Sequence, residues 1–351
     1  MKNSYKQLFF LLFIPLFSFG FKIEDDNITK VKTINKSFTV DLDAVLQTNN
    51  SYGNINVYLW DENKISIQVT IKVSGKNENK VTDKLNSIDV AFSSSSSKVS
   101  AATTFDSNGK SGNNINLEIN YIIKIPKNGN VNLVNKYGDI AIEKLNGTSN
   151  IICQYGNVNL GNFTNKANNL SLSYSGNSSI NTIEKLNLNS QYSDVEFQTV
   201  DQISITGNYN TFNFQNVGAL AIASNYTKIY SKSVQKFTCE GNYLTLKLGE
   251  IGSAIALDSN YSDISFAATS KTKSISLSAN YSNTKIMCPS DWAFDINIDL
   301  KYGNFKEDLG LKYSEKSEKN TSKSYSGYNI SQGKSTITIK ANYGNVQLLN
   351  K

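Results

Sequence analysis

Residues 203–217 read ISITGNYNTFNFQNV, and residues 220–234 read LAIASNYTKIYSKSV. Aligned on Tyr209 and Tyr226, the two segments share one frame. Apolar residues stand six and four before the tyrosine, at Ile203 and Ile205 and again at Leu220 and Ile222. A small residue, Gly207 or Ser224, stands two before it. In the first copy apolar residues return three, five and eight after, at Phe212, Phe214 and Val217. Alternation with a period of two on both arms is the pattern of two short strands, each with one face buried. The parity changes between the tyrosine and the third residue after it, where Gly, Ser, Asn and Asp recur, so the corner lies there.

The same frame runs along most of the chain. Its markers are Tyr137, Tyr155, Tyr174, Tyr192, Tyr209, Tyr226, Tyr243, Tyr261, Tyr281 and Tyr302, spaced 17 to 21 residues apart. Tyr343 closes the series after a long interruption, and Tyr52 stands as an isolated early copy. A period this short is about half that of a helical tandem repeat and shorter than a propeller blade. It fits one coil of a parallel β-solenoid with coils of about 17–18 residues stacked about 4.8 Å apart. The competing arrangement is an antiparallel meander of hairpins. Hairpin turns of the favoured type want Asn-Gly or Asp-Gly, and the corners here run Gly-Asn, Gly-Asp or Ser-Asp, so the solenoid is the expected fold. Parity with the apolar residues before it puts the tyrosine on the inward face, with the small residue two before it making room for the ring. The asparagines before it (Asn208, Asn225, Asn242, Asn260, Asn280, Asn342) are expected to form a side-chain ladder.

The 351 residues divide into five expected parts. Residues 1–20 read as a signal peptide: Lys2 and Lys6, an apolar run from Leu8 to Phe17, and the small-x-small site Ser18-Phe19-Gly20. The run is too short to span a bilayer, which takes about 20 residues. The mature chain is therefore expected to be exported, to the periplasm or the cell surface, with no transmembrane segment. Residues 21–125 form a β-rich cap over the first coil's edge, in which Asn77 to Ser87 is a short helix or loop. Residues 126–305 are the solenoid. Residues 306–333, rich in Lys, Ser, Glu and Gly, are expected to be a flexible loop insertion, and residues 334–351 the final coil.

Within this β frame the chain resembles a known family. The likeness rests on Tyr52-Gly53-Asn54-Ile55-Asn56-Val57 with Trp60 behind it, and on Ile125-Pro126-Lys127-Asn128-Gly129. It continues through Tyr137-Gly138-Asp139-Ile140-Ala141-Ile142 and the recurring tyrosine corner. These stretches resemble the putative adhesin family of unknown function with β-strand repeats, related to the head GIN domain proteins. The resemblance implies a right-handed parallel β-helix in a bacterial envelope protein, and it brings no catalytic residues with it.

Composition narrows the chemistry. There is no His, and all 35 basic residues are Lys, against 29 acidic ones. Absence of His removes His-dependent nucleophiles and acid–base pairs and most zinc sites. Absence of Arg removes bidentate clamps on phosphate and carboxylate. The net charge of +6 is mild and includes Lys2 and Lys6, which argues against nucleic acid as a partner. The Asx column two after Tyr (Asp139, Asn157, Asp194, Asp263, Asn283, Asn304, Asn345) looks like a ligand array. It is interrupted by Thr211, Lys228 and Thr245 and lacks the glycine pattern of calcium-binding solenoids, so it reads as turn chemistry. Asp194 with Glu196, and Asp258 with Asp263, are the carboxylate pairs a glycan-cleaving site would use, and neither has a second polar cluster. Cys153, Cys239 and Cys288 fall on coils too far apart for a disulfide, which needs Cα atoms within about 7 Å. Three free thiols are expected, two of them buried. No catalytic, cofactor or metal residue is assigned. The expected function is a non-enzymatic, adhesin-like binding or structural solenoid facing an envelope protein, glycan or cell-wall component. The alternative is a carbohydrate-active enzyme, a polysaccharide lyase or glycosidase, on the same fold.

Overall fold

The computed structural model describes residues 27–106 and 114–351. The expected signal peptide lies outside the described residues. The tyrosine repeats pair in parallel and in register, coil on coil. Ile203 lies beside Leu186 and Leu220, and Ile205 beside Leu188 and Ile222. Val200 continues the column through Ile183 and Val217. Inward residues are two apart within an arm (Val195, Phe197; Ile203, Ile205) but three apart at Phe197, Val200 and Ile203. Gln198-Thr199 and Asp201-Gln202 therefore face outward as consecutive pairs, and the chain bends at each. Together with the tyrosine corner this turns the chain through one coil. The stacked inward columns are the core, a continuous file of Ile, Leu, Val and Phe. A parallel β-solenoid is the fold.

The first coil is older in the chain than the cap reading allows. Val45–Ser51 and Ile55–Trp60, with Tyr52 between them, pair in parallel with Asn130–Lys136 and Ile140–Leu145. Tyr52 is thus a true corner, separated from its neighbour Tyr137 by the cap rather than isolated. The cap is built on the other edge of this coil. Lys98–Phe105 and Ile115–Pro126 pair with it in parallel, and antiparallel Lys64–Gly75 and Ile28–Thr39 follow. Ile65, Ile67, Val69, Ile71 and Val73 alternate inward, as their spacing predicts. Glu78–Asn86 is a helix whose Asn77 cap accepts a 3.0 Å bond from the Lys80 N–H and whose Val81 is buried against the sheet. The outermost strand carries Lys30, Lys32 and Lys36, which discourage pairing with another chain at that edge.

The other end departs twice from the sequence reading. The segment expected to be a flexible insertion forms strands. Lys312–Glu318 and Ser322–Asn329 make an antiparallel hairpin, and the second strand pairs antiparallel with Phe294–Lys301. Its polar composition reflects exposure on a terminal strand, not absence of structure. Glu307 accepts a 3.2 Å bond from the Tyr313 hydroxyl, and Glu318 a 2.7 Å bond from that of Tyr325. The second departure is topological. Thr336–Asn342 and Val346–Asn350 form a coil, but not the last one in space. That coil pairs on one side with Ser274–Asn280 and Asn283–Cys288, and on the other with Phe294–Lys301 and Phe305–Glu307. The C-terminal coil is inserted between two coils that are consecutive in sequence. Buried Trp292 marks the place where the chain steps over the slot. Its indole N–H donates to the Thr272 carbonyl at 3.0 Å, and its own carbonyl accepts from the Asn329 amide at 2.8 Å.

One inward column contains a misfit. Phe197, Phe214, Ser231 and Leu248 stack in register, and the Ser231 hydroxyl is buried with no hydrogen-bond partner among the described residues. An unmet buried hydroxyl costs about 1–3 kcal/mol. Ser231→Val should raise the thermal midpoint, with a stabilisation of about 1 kcal/mol once some overpacking is allowed for. Thermal denaturation followed by circular dichroism measures it, and a lowered midpoint would show that the column has no room.

Candidate functional site

The tyrosine corners form a second ordered structure, on the outside of the solenoid. Tyr52, Tyr137, Tyr155, Tyr174, Tyr192, Tyr209, Tyr226, Tyr243, Tyr261, Tyr281, Tyr302 and Tyr343 all have positive φ, between 50° and 67°. This is left-handed backbone, which a bulky L-residue adopts at a cost of roughly 1–2 kcal/mol. It redirects the side chain. Two-residue parity counted through the corner fails there, and the rings stand outward, 43–57% exposed, instead of inward as the spacing suggests. Each ring lies on the next at centroid distances of 4.7–5.3 Å with interplanar angles of 1–17°. Tyr343 sits between Tyr281 and Tyr302, following the inserted coil. Eleven steps at about 4.8 Å make a ridge roughly 53 Å long.

Backbone bonding continues through the corner. The Tyr209 N–H donates to the Asn225 carbonyl of the next coil at 3.1 Å, and the Thr211 N–H to the Ser193 carbonyl of the previous one at 3.0 Å. The corner N–H left over needs a side-chain partner, and two solutions occur. In Tyr-Ser, Tyr-Asn and Tyr-Thr corners a buried oxygen one after the tyrosine accepts from the neighbouring coil. Ser193 Oγ takes the Ser175 N–H at 3.2 Å, Asn210 Oδ1 the Ser193 N–H at 3.1 Å, and Ser282 Oγ the Ser262 N–H at 2.9 Å. In Tyr-Gly corners it is the N–H two after the tyrosine that takes a side-chain partner, the Asx of the preceding coil. Asn54 takes the Asp139 N–H and Asp139 takes the Asn157 N–H, at 2.8 and 2.7 Å. There the glycine is required by contact, since a Cβ at Gly138 would stand 2.1 Å from the Gly53 carbonyl oxygen. The Asx column is thus turn chemistry. The buried column one after Tyr was missed, although Gly, Ser, Thr or Asn occupies that place in every coil but the one with Leu244.

The asparagine ladder stands where its spacing puts it. Asn225, Asn242, Asn260, Asn280 and Asn342 each donate an amide N–H to the Oδ1 of the preceding member, at 2.6–3.1 Å. The small residues two before Tyr are buried or half-buried but do not make room for rings. They allow close approach of backbones: Gly207 has φ 134°, and a Cβ there would meet the Ser190 carbonyl oxygen at 1.7 Å. Asp194, Glu196, Asp258 and Asp263 are all exposed. The first two are four rungs from the others, roughly 19 Å along the stack, so the structure does not bring the pairs together. Among the described residues no three His, Cys, Asp or Glu side chains gather as metal ligands, and no helix is long and apolar enough to cross a membrane. A shallow, open groove of about 250 Å³ crosses the outward strand face, with Asn187, Ser204, Ala221 and Thr238 on its floor.

Cys153, Cys239 and Cys288 are all buried and free. Burial pushes each thiol up to about 12, helped by a nearby Asp139, Glu240 or Asp308 carboxylate respectively.

Fold and surface together define a parallel β-solenoid protein with an exposed aromatic ridge. The chain is similar to a "putative cell adhesion protein" from Clostridium sporogenes, at 12% identity and TM-score 0.19, over 92% of this chain and 100% of that one. It is also similar to a "putative adhesin" from Bacteroides fragilis, at 15% and 0.28, over 91% and 97%. A "putative adhesin" from Parabacteroides merdae aligns at 11% and 0.30, over 90% and 96%. No family model matches the chain, and no curated protein does. The architecture rests on the pairing and register described above.

Two measurements follow from the corners and the thiols. An interior ring makes two stacks, worth about 0.5–1.5 kcal/mol each, which offset the left-handed backbone. Tyr226→Ala loses the stacks and keeps the strain, so it should cost about 1–3 kcal/mol. Tyr226→Gly loses the stacks but fits the backbone, and should be less harmful by roughly 0.5–1 kcal/mol. The reverse order in thermal denaturation would show that φ does not matter there. At neutral pH the thiols are protonated and enclosed, so a thiol reagent should label none in the native protein. It should label all three after denaturation without reductant.

Proposed function

We propose that the protein is an exported, non-enzymatic, adhesin-like solenoid that binds an envelope component along its outward surface. The observation that carries this reading is the coil-to-coil register, kept through the stack apart from shifts at Val234/Lys236 and Lys247/Glu250. It turns most outward positions into columns of side chains repeated at one coil per step. Asn187, Asn189, Glu196, Gln198, Ser204 and Gln215 are all exposed, and most are short and uncharged. A surface of this kind gains affinity by repeated weak contacts along its length, without a preorganised pocket. The leader-like N-terminus supports export.

The purified protein should be retained saturably by bacterial envelope preparations without generating new reducing or unsaturated ends. N-terminal sequencing of the exported product should begin at Phe21. Ser204→Lys with Ala221→Lys, placing two charges in the shallow groove, should leave the thermal midpoint unchanged, and any loss of retention measures what the strand face contributes. New ends that disappear with Asp194→Asn or Glu196→Gln would establish the enzyme instead.

A further inference from the structure

The geometry points to the tyrosine ridge as the recognition element, and to a linear, neutral polysaccharide as its ligand, lying along the solenoid axis at one sugar per coil. This rests on the binding-solenoid reading and says which part of the surface binds and what it takes.

The argument begins with what each ring leaves available. Both faces of an interior tyrosine are covered by its neighbours at 4.7–5.3 Å, so a sugar cannot stack on a face as it does on an isolated aromatic residue. What remains exposed is the ring edge and the hydroxyl. Among the described residues the ridge hydroxyls make no hydrogen bond, whereas those of Tyr121, Tyr313 and Tyr325 bond Thr103, Glu307 and Glu318. The ridge therefore presents a row of groups that both donate and accept, at a fixed repeat.

The flanks of the ridge select the charge of the ligand: the column two after the tyrosines carries Asp139, Asp194 and Asp263 against Lys228, which disfavours a polyanion. Beside the rings, one residue earlier, run six asparagines in successive rungs from Asn208 to Asn342, preceded by Gln191 and Gln154. This column is uncharged over most of its length. A polyanion would need cations spaced along it, and only Lys136 and Lys301 interrupt the column, near its two ends. A peptide strand would need free backbone groups. At the ridge these are spent between coils, as in the Tyr209–Asn225 and Tyr226–Asn242 bonds. The ligand must then be recognised through side-chain hydrogen bonds, once per repeat, by neutral donors and acceptors. A polymer of hydroxylated rings meets that requirement. The left-handed backbone contributes by standing all twelve rings outward at the corner.

The experiment is depletion of the intact protein by insoluble or gel-immobilised polysaccharides. The panel holds a β-glucan, a xylan and a mannan as neutral polymers, and polygalacturonate as the polyanion. Beside the parent stands the triple variant Tyr192→Phe, Tyr209→Phe and Tyr226→Phe, which keeps every ring in the stack and removes three hydroxyls. The expected result is retention on a neutral polymer that survives added salt and falls roughly tenfold in the triple variant, with an unchanged thermal midpoint. Strongest retention on polygalacturonate, abolished by salt, would overturn the proposal. So would equal retention of parent and triple variant, which would move the site off the ridge and leave the binding-solenoid reading standing. Protein that adheres to envelope preparations but to no polysaccharide would sink the ligand class alone. Failure to adhere to either would sink both readings.

Discussion

Everything in this molecule depends on the coil-to-coil hydrogen-bond ladder surviving the sharpest corner of the coil. A parallel stack gains little from any single coil, because a coil cannot bury its own apolar face. It becomes stable only if backbone groups are paired between neighbours all the way round. At the tyrosine the chain must reverse its side-chain parity within two residues, and left-handed backbone accomplishes this. The tyrosine N–H still reaches the next coil, and the N–H two later reaches the previous one. In the hydroxyl and amide corners the remaining N–H is met by an inward side chain, and in the Tyr-Gly corners the N–H two later is met by an outer Asx instead. The whole frame of the repeat follows from those three bonds.

The two corner chemistries also explain the distribution of glycine. Tyr-Gly-Asx corners occupy both ends of the stack (Tyr52, Tyr137 and Tyr155; Tyr343 and Tyr302), and hydroxyl or amide corners occupy the middle. A corner with glycine packs its backbone closely against its neighbour and hands the bonding to the outer Asx. A corner with Ser, Thr or Asn carries its acceptor inward. Tyr174 marks the change, where Ser193 Oγ accepts the Ser175 N–H on the inside and Asn157 Oδ1 accepts the Asn177 N–H on the outside. The C-terminal coil keeps its glycine type beside Gly303, its neighbour across the slot.

Local pattern made much of this legible. Alternation on both arms of Tyr209 and Tyr226 announced strands, the period announced coils, and six asparagines in one frame position announced their ladder. The direction of the tyrosines was not legible by the same means, since period-two counting assumes extended backbone and one left-handed residue resets it. The place of Tyr52 was hidden because 84 residues of chain separate it from the corner it stacks on. The hairpin of residues 312–329 was hidden by composition, because a terminal strand is polar on nearly every position. The slot taken by the last coil is a choice between stacking edges of similar chemistry, and no local pattern encodes it. For the ridge, the repeated tyrosine was visible at once, but its exposure depended on φ.

The inserted coil bears on the order in which the chain can assemble. A solenoid is well suited to growth from one end, each new coil settling on the last as it is made. Here that sequence halts at residue 288. The stretch from Phe294, though paired with the hairpin of residues 312–329, cannot join the stack until residues 336–350 lie between it and residues 274–288. Stacking beyond Cys288 is therefore out of sequence order: until residues 336–350 enter the slot its two walls are unpaired strand edges, and the later segment closes it between the earlier ones.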